Sequence, residues 1–383
     1  MRNVVLITGG FNLPYGNASA IRALSIARCL KVIGYEPVVA GVFEDKGEKD
    51  NLWTVFDGVR CFNMGSVSTI ASDISYLDSI FLTYDPSKIY SIIAYNYPGV
   101  ALFKLWRNSK VRQIKVVSDT TEWYAFNSTD NSFVGSVVRW LHTELRMRWL
   151  NRRIGNIICT TNYIANYYRH SHTMVIPAID DHSFDDAKHT SHIHTNSHTT
   201  KFFYAGSPGY KFRKDRINLV VQMFERLSVE NIPFHFDIYG VSSDEYVKFF
   251  GAPKTKQNEI VFHGRVSRQV ILEQLKQSDF SVLLRPNDRV CKVGFSSKSM
   301  ESISAGVPLI ANDVNGDFSK YFTQNQALLC DAEDMDAFYS LLKKACTMTD
   351  DEIASMKESC IKNNPFDYKN FVEPLSLFMK GLK

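Results

Sequence analysis

The residues best suited to chemistry lie between Leu283 and Ile310, in the stretch LLRPNDRVCKVGFSSKSMESISAGVPLI. An apolar run, Phe280 to Leu284, reads as a buried strand and feeds a basic loop with Arg285, Arg289 and Lys292. Gly294-Phe295-Ser296-Ser297 then opens a helix that carries Lys298, Met300 and Glu301 and stops at Gly306. Val307 to Ile310 is the next strand. A helix N-terminus presents orphan backbone N–H groups and the positive end of its dipole, so it attracts anions. Lys298 in the first turn adds a full positive charge. The chemistry written here is phosphate binding.

A second stretch repeats that physics. Lys201 to Ala205 reads as a strand and leads into Gly206-Ser207-Pro208-Gly209-Tyr210-Lys211-Phe212-Arg213-Lys214-Asp215. A helix with Leu219, Val220, Met223, Phe224 and Leu227 at its spacing follows. A glycine-containing loop with Lys211, Arg213 and Lys214 ahead of a helix is another anion site. Near the start, Val4 to Ile7 reads as a strand and Thr8 to Asn17 as a glycine-rich loop before a helix from about Ala18 to Gly34. The glycines do not follow G-x-G-x-x-G, so no dinucleotide site is expected, and Gly9, Gly10 and Gly16 have a plain turn-making alternative. The strand from Ile114 ends in Ser118-Asp119-Thr120-Thr121-Glu122-Trp123-Tyr124. Asp119 and Glu122 put carboxylates, and Trp123 and Tyr124 aromatic faces, at a strand end, where open α/β sheets bind ligands. The competing reading is a capped turn with aromatics in the core.

The elements between these stretches alternate strand and helix. Glu36 to Phe43, Ile89 to Ala94, Asn156 to Cys159 and Met174 to Pro177 are further strands of a first α/β unit over 1–179. The composition shifts over 180–200, where His182, His189, His192, His194 and His198 stand among Ser, Thr, Asp and Asn. No Cys or Glu completes a familiar ligand spacing, so this is read as a linker and no metal site is expected. A second α/β unit covers 201–365, with strands at His235 to Tyr239 and Ile260 to Gly264, a helix over Gln269 to Gln277, and closing helices near 335–346 and 351–361. The tail from Tyr368 to Leu382 reads as helical.

The central stretch resembles the donor site of GT-B-fold glycosyltransferases, in particular the retaining family 4. There a segment like E-G-F-x-x-x-x-x-E precedes A-x-G-x-P-V-I. Here Val293-Gly294-Phe295-Ser296-Ser297-Lys298-Ser299-Met300-Glu301 precedes Ala305 to Ile310. Glu301 stands at the second acid, and Val293 replaces the first. The resemblance implies two Rossmann-like domains facing across a cleft, with tail residues 366–383 packing back on the first. It implies that Lys214, Arg213, Lys298 and the N–H groups of Ser296 and Ser297 hold a donor diphosphate, with Gly209, Lys211 and Arg285 nearby. Glu301 would take ribose hydroxyls, Gly294 and Phe295 would offer backbone groups to the sugar, and Arg265 would lie beside the base. Gly16 would face donor phosphates, Asn17 would join Asp119, Glu122, Trp123 and Tyr124 on the acceptor side, and Arg22 is a weaker candidate.

The implied reaction takes a UDP- or GDP-linked sugar to a glycan or lipid-linked oligosaccharide with retention, in bacterial surface-polysaccharide synthesis. No cofactor and no metal are implied, since GT-B enzymes usually need no metal for catalysis; the leaving phosphate itself takes the acceptor's proton, so no paired acid and nucleophile is implied either. Two alternatives share the architecture: a non-catalytic pseudo-glycosyltransferase partner subunit, which the Val293 departure favours, and a sugar-nucleotide epimerase.

Bulk properties are compatible with this. A length of 383 residues suggests two domains, and 45% apolar residues suggest a globular chain. A formal charge of +4 is too small to imply nucleic acid. The 7 cysteines are scattered without a C-x-x-C and read as reduced thiols of a cytoplasmic protein. The chain opens on a strand pattern rather than a signal peptide, and no run nears the ~20 apolar residues of a membrane span, so any membrane contact would be peripheral. Phe133 to Ile154, with Trp140, Trp149 and several arginines, reads either as an ordinary amphipathic helix or as a face for an anionic membrane.

Overall fold

A computed structural model of the chain describes residues 3–43, 51–65, 74–126, 133–180, 199–209 and 212–383. It divides into two units. The first is Met1–Asp181 with Val293–Phe295 and Phe366–Lys383; the second is His182–Lys292 with Ser296–Pro365. Most of the expected linker, including all five of its histidines, lies outside the described residues.

The first unit is built on an eight-stranded sheet: β1 (Val4–Leu13), β2 (Glu36–Phe43), β3 (Trp53–Phe56), β4 (Val59–Asn63), β5 (Ile89–Tyr95), β6 (Lys115–Thr120), β7 (Asn156–Cys159) and β8 (His172–Val175). The order is β3-β4-β2-β1-β5-β6-β7-β8, parallel except for the β3–β4 pair. Helices α1 (Ala18–Ile33), α2 (Tyr76–Thr83), α3 (Gly99–Val111), α4 (Phe133–Glu144), α5 (Asn151–Ile154) and α6 (Asn162–Tyr167) wind around it. One turn of π-helix, Leu145–Leu150, joins α4 to α5.

Alternation along β1 places the layers. Val5 and Ile7 enter one core with Ala20, Leu24 and Ala27 of α1, while Val4 and Leu6 enter the other with Leu77 of α2 and Leu102 of α3. Helix α1 ends where Gly34 adopts φ 99°, a left-handed cap that costs glycine little. β1 runs to Leu13, well past Ile7, because Asn12 and Leu13 resume pairing with Val42 and Phe43 after a register shift. The β3–β4 hairpin, absent from the sequence reading, turns at Asp57 and Gly58, both at positive φ.

The second unit has a parallel sheet of β9 (Thr200–Ala205), β10 (Phe234–Tyr239), β11 (Ile260–Gly264), β12 (Phe280–Leu283), β13 (Leu309–Asp313) and β14 (Ala327–Asp331). Its order is β11-β10-β9-β12-β13-β14, the doubly wound arrangement in which the order of successive strands across the sheet reverses between β9 and β12. Its helices are α7 (Ile217–Val229), α8 (Ser243–Phe250), α9 (Arg268–Lys276), α10 (Arg289–Val293), α11 (Ser297–Ser304), α12 (Phe318–Tyr321), α13 (Met335–Ala345) and α14 (Asp350–Lys362). Phe202 and Tyr204 of β9 pack with α7, and Phe203 between them packs on the opposite face with Leu275 of α9.

The last helix, α15 (Lys369–Lys380), returns to the first unit. Phe371, Leu375, Phe378, Met379 and Leu382 share the core of α1 and β1. At about 1.5–3 kcal/mol for each fully buried side chain, the tail is a substantial part of that core. Among the described residues, no helix is long and apolar enough to cross a membrane.

Candidate active site

The second unit gathers its charged groups at the reversal between β9 and β12, where open parallel sheets bind ligands. β9 ends at Gly206, whose φ is +142°. A Cβ there would lie 2.2 Å from Cε of Lys298, so only glycine lets this lysine cross the strand end. Lys298 comes from the first turn of α11, and its Nζ donates to Oδ2 of Asp215 at 2.8 Å. The Tyr204 hydroxyl donates to the same oxygen at 2.9 Å. Asp215 is 1% exposed. Burial pushes its carboxyl up, yet the charges of Lys298, then Arg285, then Lys214 outweigh burial and hold it below the usual carboxylate value. Burial, reinforced by Asp215, pushes the Tyr204 phenol well up, so it stays a donor.

Three cations thus act on one buried carboxylate. Lys298 is in direct contact with it, at 2.8 Å. Arg285 is itself buried, and its peptide is clamped by Asn312, which accepts from the Arg285 N–H at 2.8 Å and donates to its carbonyl at 2.7 Å. Lys214 and Arg213 are exposed on the loop after β9. Lys214 N–H donates to Pro208 O at 2.8 Å, and Gly209 makes the turn at φ +76°, packed on the Lys214 Cβ. Lys211 lies outside the described residues.

At the start of α11, Ser296 is the N-cap residue but makes no side-chain cap bond. Its hydroxyl leaves the first-turn N–H groups of Ser297 and Lys298 uncovered by a side chain, contrary to the expected pair of capping serines. Glu301 is met by Arg268 Nη1 of α9 at 3.3 Å, a pairing the sequence reading missed. Arg265 is exposed beyond β11 and is not part of the cluster around Asp215. Val293, Gly294 and Phe295 group with the first unit. The Thr160 and Thr161 hydroxyls donate to Val293 O at 2.9 and 3.1 Å, and the Val293 side chain is buried with Trp123 and Met147. Phe295 lies against Phe366, with ring centroids 5.6 Å apart.

Several first-unit candidates turn out to be structural. Asp119 does not present a carboxylate to a ligand: Arg22 donates to both its oxygens, at 2.9 and 2.8 Å, and both residues are buried. Arg22 also donates to the carbonyls of Ile176 and Pro177, so it fastens α1 to the ends of β6 and β8. Asn17 is consumed as the cap of α1, accepting from Ala20 N–H at 2.9 Å and donating to Gly10 O at 3.2 Å. Gly16 closes the same loop through its N–H to Asn12 O. Trp123 is buried rather than open to a sugar face, and its indole N–H donates to Glu144 at 2.9 Å.

Glu122 and Tyr124 remain at a cavity. They hydrogen-bond to each other and line a space of about 510 Å³ with Asn96, Arg139, His142 and Arg146. Burial, then Glu122, pushes the Tyr124 phenol up. Arg146, unnoticed in the sequence as anything but a helix charge, is buried there and donates to Glu122 O at 2.7 Å and Tyr97 O at 3.4 Å. Its desolvation lowers its pKa despite Glu122. Such a cavity, with a carboxylate, a phenol and guanidinium groups, suits a polyhydroxylated ligand.

Residues 199–347 match the family model described as Glycosyl transferases group 1. No curated protein matches the chain. Solved structures match over its whole length at low identity. A sucrose-phosphate synthase from Thermosynechococcus elongatus is 11% identical, with 100% of this chain and 99% of that one covered and a TM-score of 0.69. An E. coli trehalose-6-phosphate protein bound with UDP-2-fluoro glucose gives 11%, 99% and 99%, and 0.62. WaaG, a glycosyltransferase involved in lipopolysaccharide biosynthesis, gives 12%, 98% and 100%, and 0.63. At these identities the likeness is one of fold. Residues 199–347 are thus similar to glycosyl transferases group 1, and the whole chain has the GT-B fold.

Proposed function

We propose that the protein transfers a sugar, with retention, from a nucleotide-diphosphate donor to a glycan or lipid-linked glycan of a surface polysaccharide. The observation that carries the reading is the placement of Lys298, paired with buried Asp215 and standing in the first turn of α11, at the reversal of the second sheet. Lys298, Lys214 and Arg285, with the first-turn N–H groups of α11, stabilise the charge that develops when the sugar–phosphate bond breaks. The acceptor oxygen then bonds to the anomeric carbon on the face the phosphate leaves, and its proton passes to a phosphate oxygen. That route needs no carboxylate base, in keeping with Asp119 being tied to Arg22. Support for the donor class comes from the neighbour that binds UDP-2-fluoro glucose, and for the setting from the neighbour of lipopolysaccharide biosynthesis.

Calorimetric titration with UDP, GDP and ADP tests the donor site. One nucleotide should bind selectively, and Lys298→Ala should weaken it strongly. In turnover assays Lys298→Ala or Lys214→Ala should cost at least ~10²-fold, the usual scale for one electrostatic donor. Near-native turnover in both would refute the assignment. Val293 at the first acid position is the observation that favours a second reading, a donor-binding partner subunit without turnover. Selective binding with no product in any acceptor mixture would select it.

A further inference from the structure

We infer that the face formed by α3, α4 and the helical turns after α4 docks on an anionic lipid surface. Large apolar side chains are exposed there in one helical row. Val134 is 69% exposed, Val138 48%, Leu141 53%, Leu145 38% and Trp149 42%. Their spacing of three and four residues puts them on one side of a single helical run. Phe133 and Trp140 are exposed beside them. A contiguous row of this kind is costly in water and marks an interaction surface.

Charge identifies the occupant. Helix α3 lies alongside: Phe103 meets Trp149 with centroids 6.1 Å apart, and Gly99 passes so close to α4 that a Cβ would lie 2.8 Å from His142 O. Its exposed side carries Lys104, Arg107 and Lys110, and α3 contains no acid. Arg148, Arg152 and Arg153 are exposed at the other end of the row. The acid within Phe133 to Ile154 is Glu144, which is paired with Arg148 and the Trp123 indole. The cations also flank aromatic rings, with Arg107 over Phe103, Lys110 over Trp106 and Arg153 over Trp149 at 5.8, 5.8 and 5.6 Å. Apolar side chains entering the acyl boundary, with tryptophan and arginine at headgroup depth, are how an interfacial helix binds. A second copy of the chain on this face would set cations against cations, which argues against self-association.

Co-sedimentation with vesicles, without nucleotide, tests this independently of the sugar-transfer reading. Binding is expected to mixed phosphatidylglycerol–phosphatidylcholine vesicles and not to pure phosphatidylcholine, and should fall as salt rises. Arg107→Ala with Lys110→Ala should lower the partition coefficient ~30-fold, about fivefold for each charge near the surface. Val134→Ser with Leu141→Ser should lower it on anionic vesicles at every salt concentration. All four positions are exposed, and circular dichroism checks the fold. Should either pair misfold, Arg152→Ala with Arg153→Ala replaces it, with the same expected loss. Equal binding to neutral vesicles, no vesicle binding, or a solution dimer that Val134→Ser with Leu141→Ser dissociates would each overturn the proposal.

Discussion

Replacing Asp215 by asparagine keeps the shape of a side chain that is 1% exposed and removes its charge. Two hydrogen bonds change, the 2.8 Å bond from Lys298 and the 2.9 Å bond from Tyr204. A charge-assisted bond contributes about 1.5–3 kcal/mol, and breaking a sealed ion pair costs about 3–5. The Lys298 side chain is 20% exposed and can regain water, so the lower range applies and about 2 kcal/mol is expected. For a unit of this size that lowers the melting temperature by roughly 4–8 °C. Lys298→Met should be destabilising too. The double variant should fall short of the sum by ~1–2 kcal/mol, since the two residues share one interaction. Acid supplies a second signature. A carboxyl whose folded pKa lies below its ordinary value of 3.8 stabilises the fold above that pH, and the contribution is lost as pH falls through the folded pKa. The gap between parent and Asp215→Asn should therefore close below about pH 4. Urea unfolding across pH, followed by circular dichroism, reads both. Additive single effects, or a gap that stays constant into acid, would refute the coupling that places Lys298.

Three further outcomes are expected. Gly240→Ala places a Cβ 2.5 Å from the Gly206 carbonyl oxygen at φ +88°, backbone against backbone, and should cost more than ~2 kcal/mol and weaken nucleotide binding. Gly34→Ala, at φ +99° and ψ 13° in open space, should cost only the ~1–2 kcal/mol of left-handed strain and leave binding intact. Arg22→Met strands the buried Asp119 carboxylate and should lower stability by about 3–5 kcal/mol by urea titration, whereas Arg22→Met with Asp119→Leu should recover much of it. His235 is hydrogen-bonded to Asp237, which raises its pKa above 6.5. Its contribution is present below pH 6.5 and lost as pH rises through the folded value, so stability should decline from pH 6 to 8 in the parent and not in Asp237→Asn.

What could be read from the sequence was whatever depends on local order. The strand at Lys201, the helix that stops at Gly34 and the helix opened by Ser296 follow from period and punctuation, and so do the two α/β units. The β3–β4 hairpin carried a readable signal, Asp57-Gly58 between Trp-Thr-Val-Phe and Val-Arg-Cys-Phe, that went unused. Pairings between distant residues could not be read. Arg22 and Asp119 are 97 positions apart, and nothing near either says that they neutralise each other in the core. The same holds for Arg268 with Glu301 and for Lys298 with Asp215. A carboxylate in a loop reads as available chemistry until the fold supplies its counter-ion. Asp119 and Trp123 have partners in the fold, Arg22 and Glu144, that their sequence neighbours do not announce, and neither does the Lys298 partner of Asp215 announce itself.

The return of α15 to the first unit has a consequence for how the chain is made. On the ribosome, β1 to β8 emerge before the second unit, but Phe371, Leu375, Phe378 and Met379, which close their core, are made only after it. Asn156 exchanges hydrogen bonds with the backbone of Lys383 at 3.2 and 3.0 Å, and Lys115 donates to Leu382 O at 2.6 Å. The first unit is thus completed only after the second has been made. Its apolar face on α1 waits through translation of the entire second unit, exposed to chaperones and to proteolysis in a way that the uninterrupted order of its strands does not suggest.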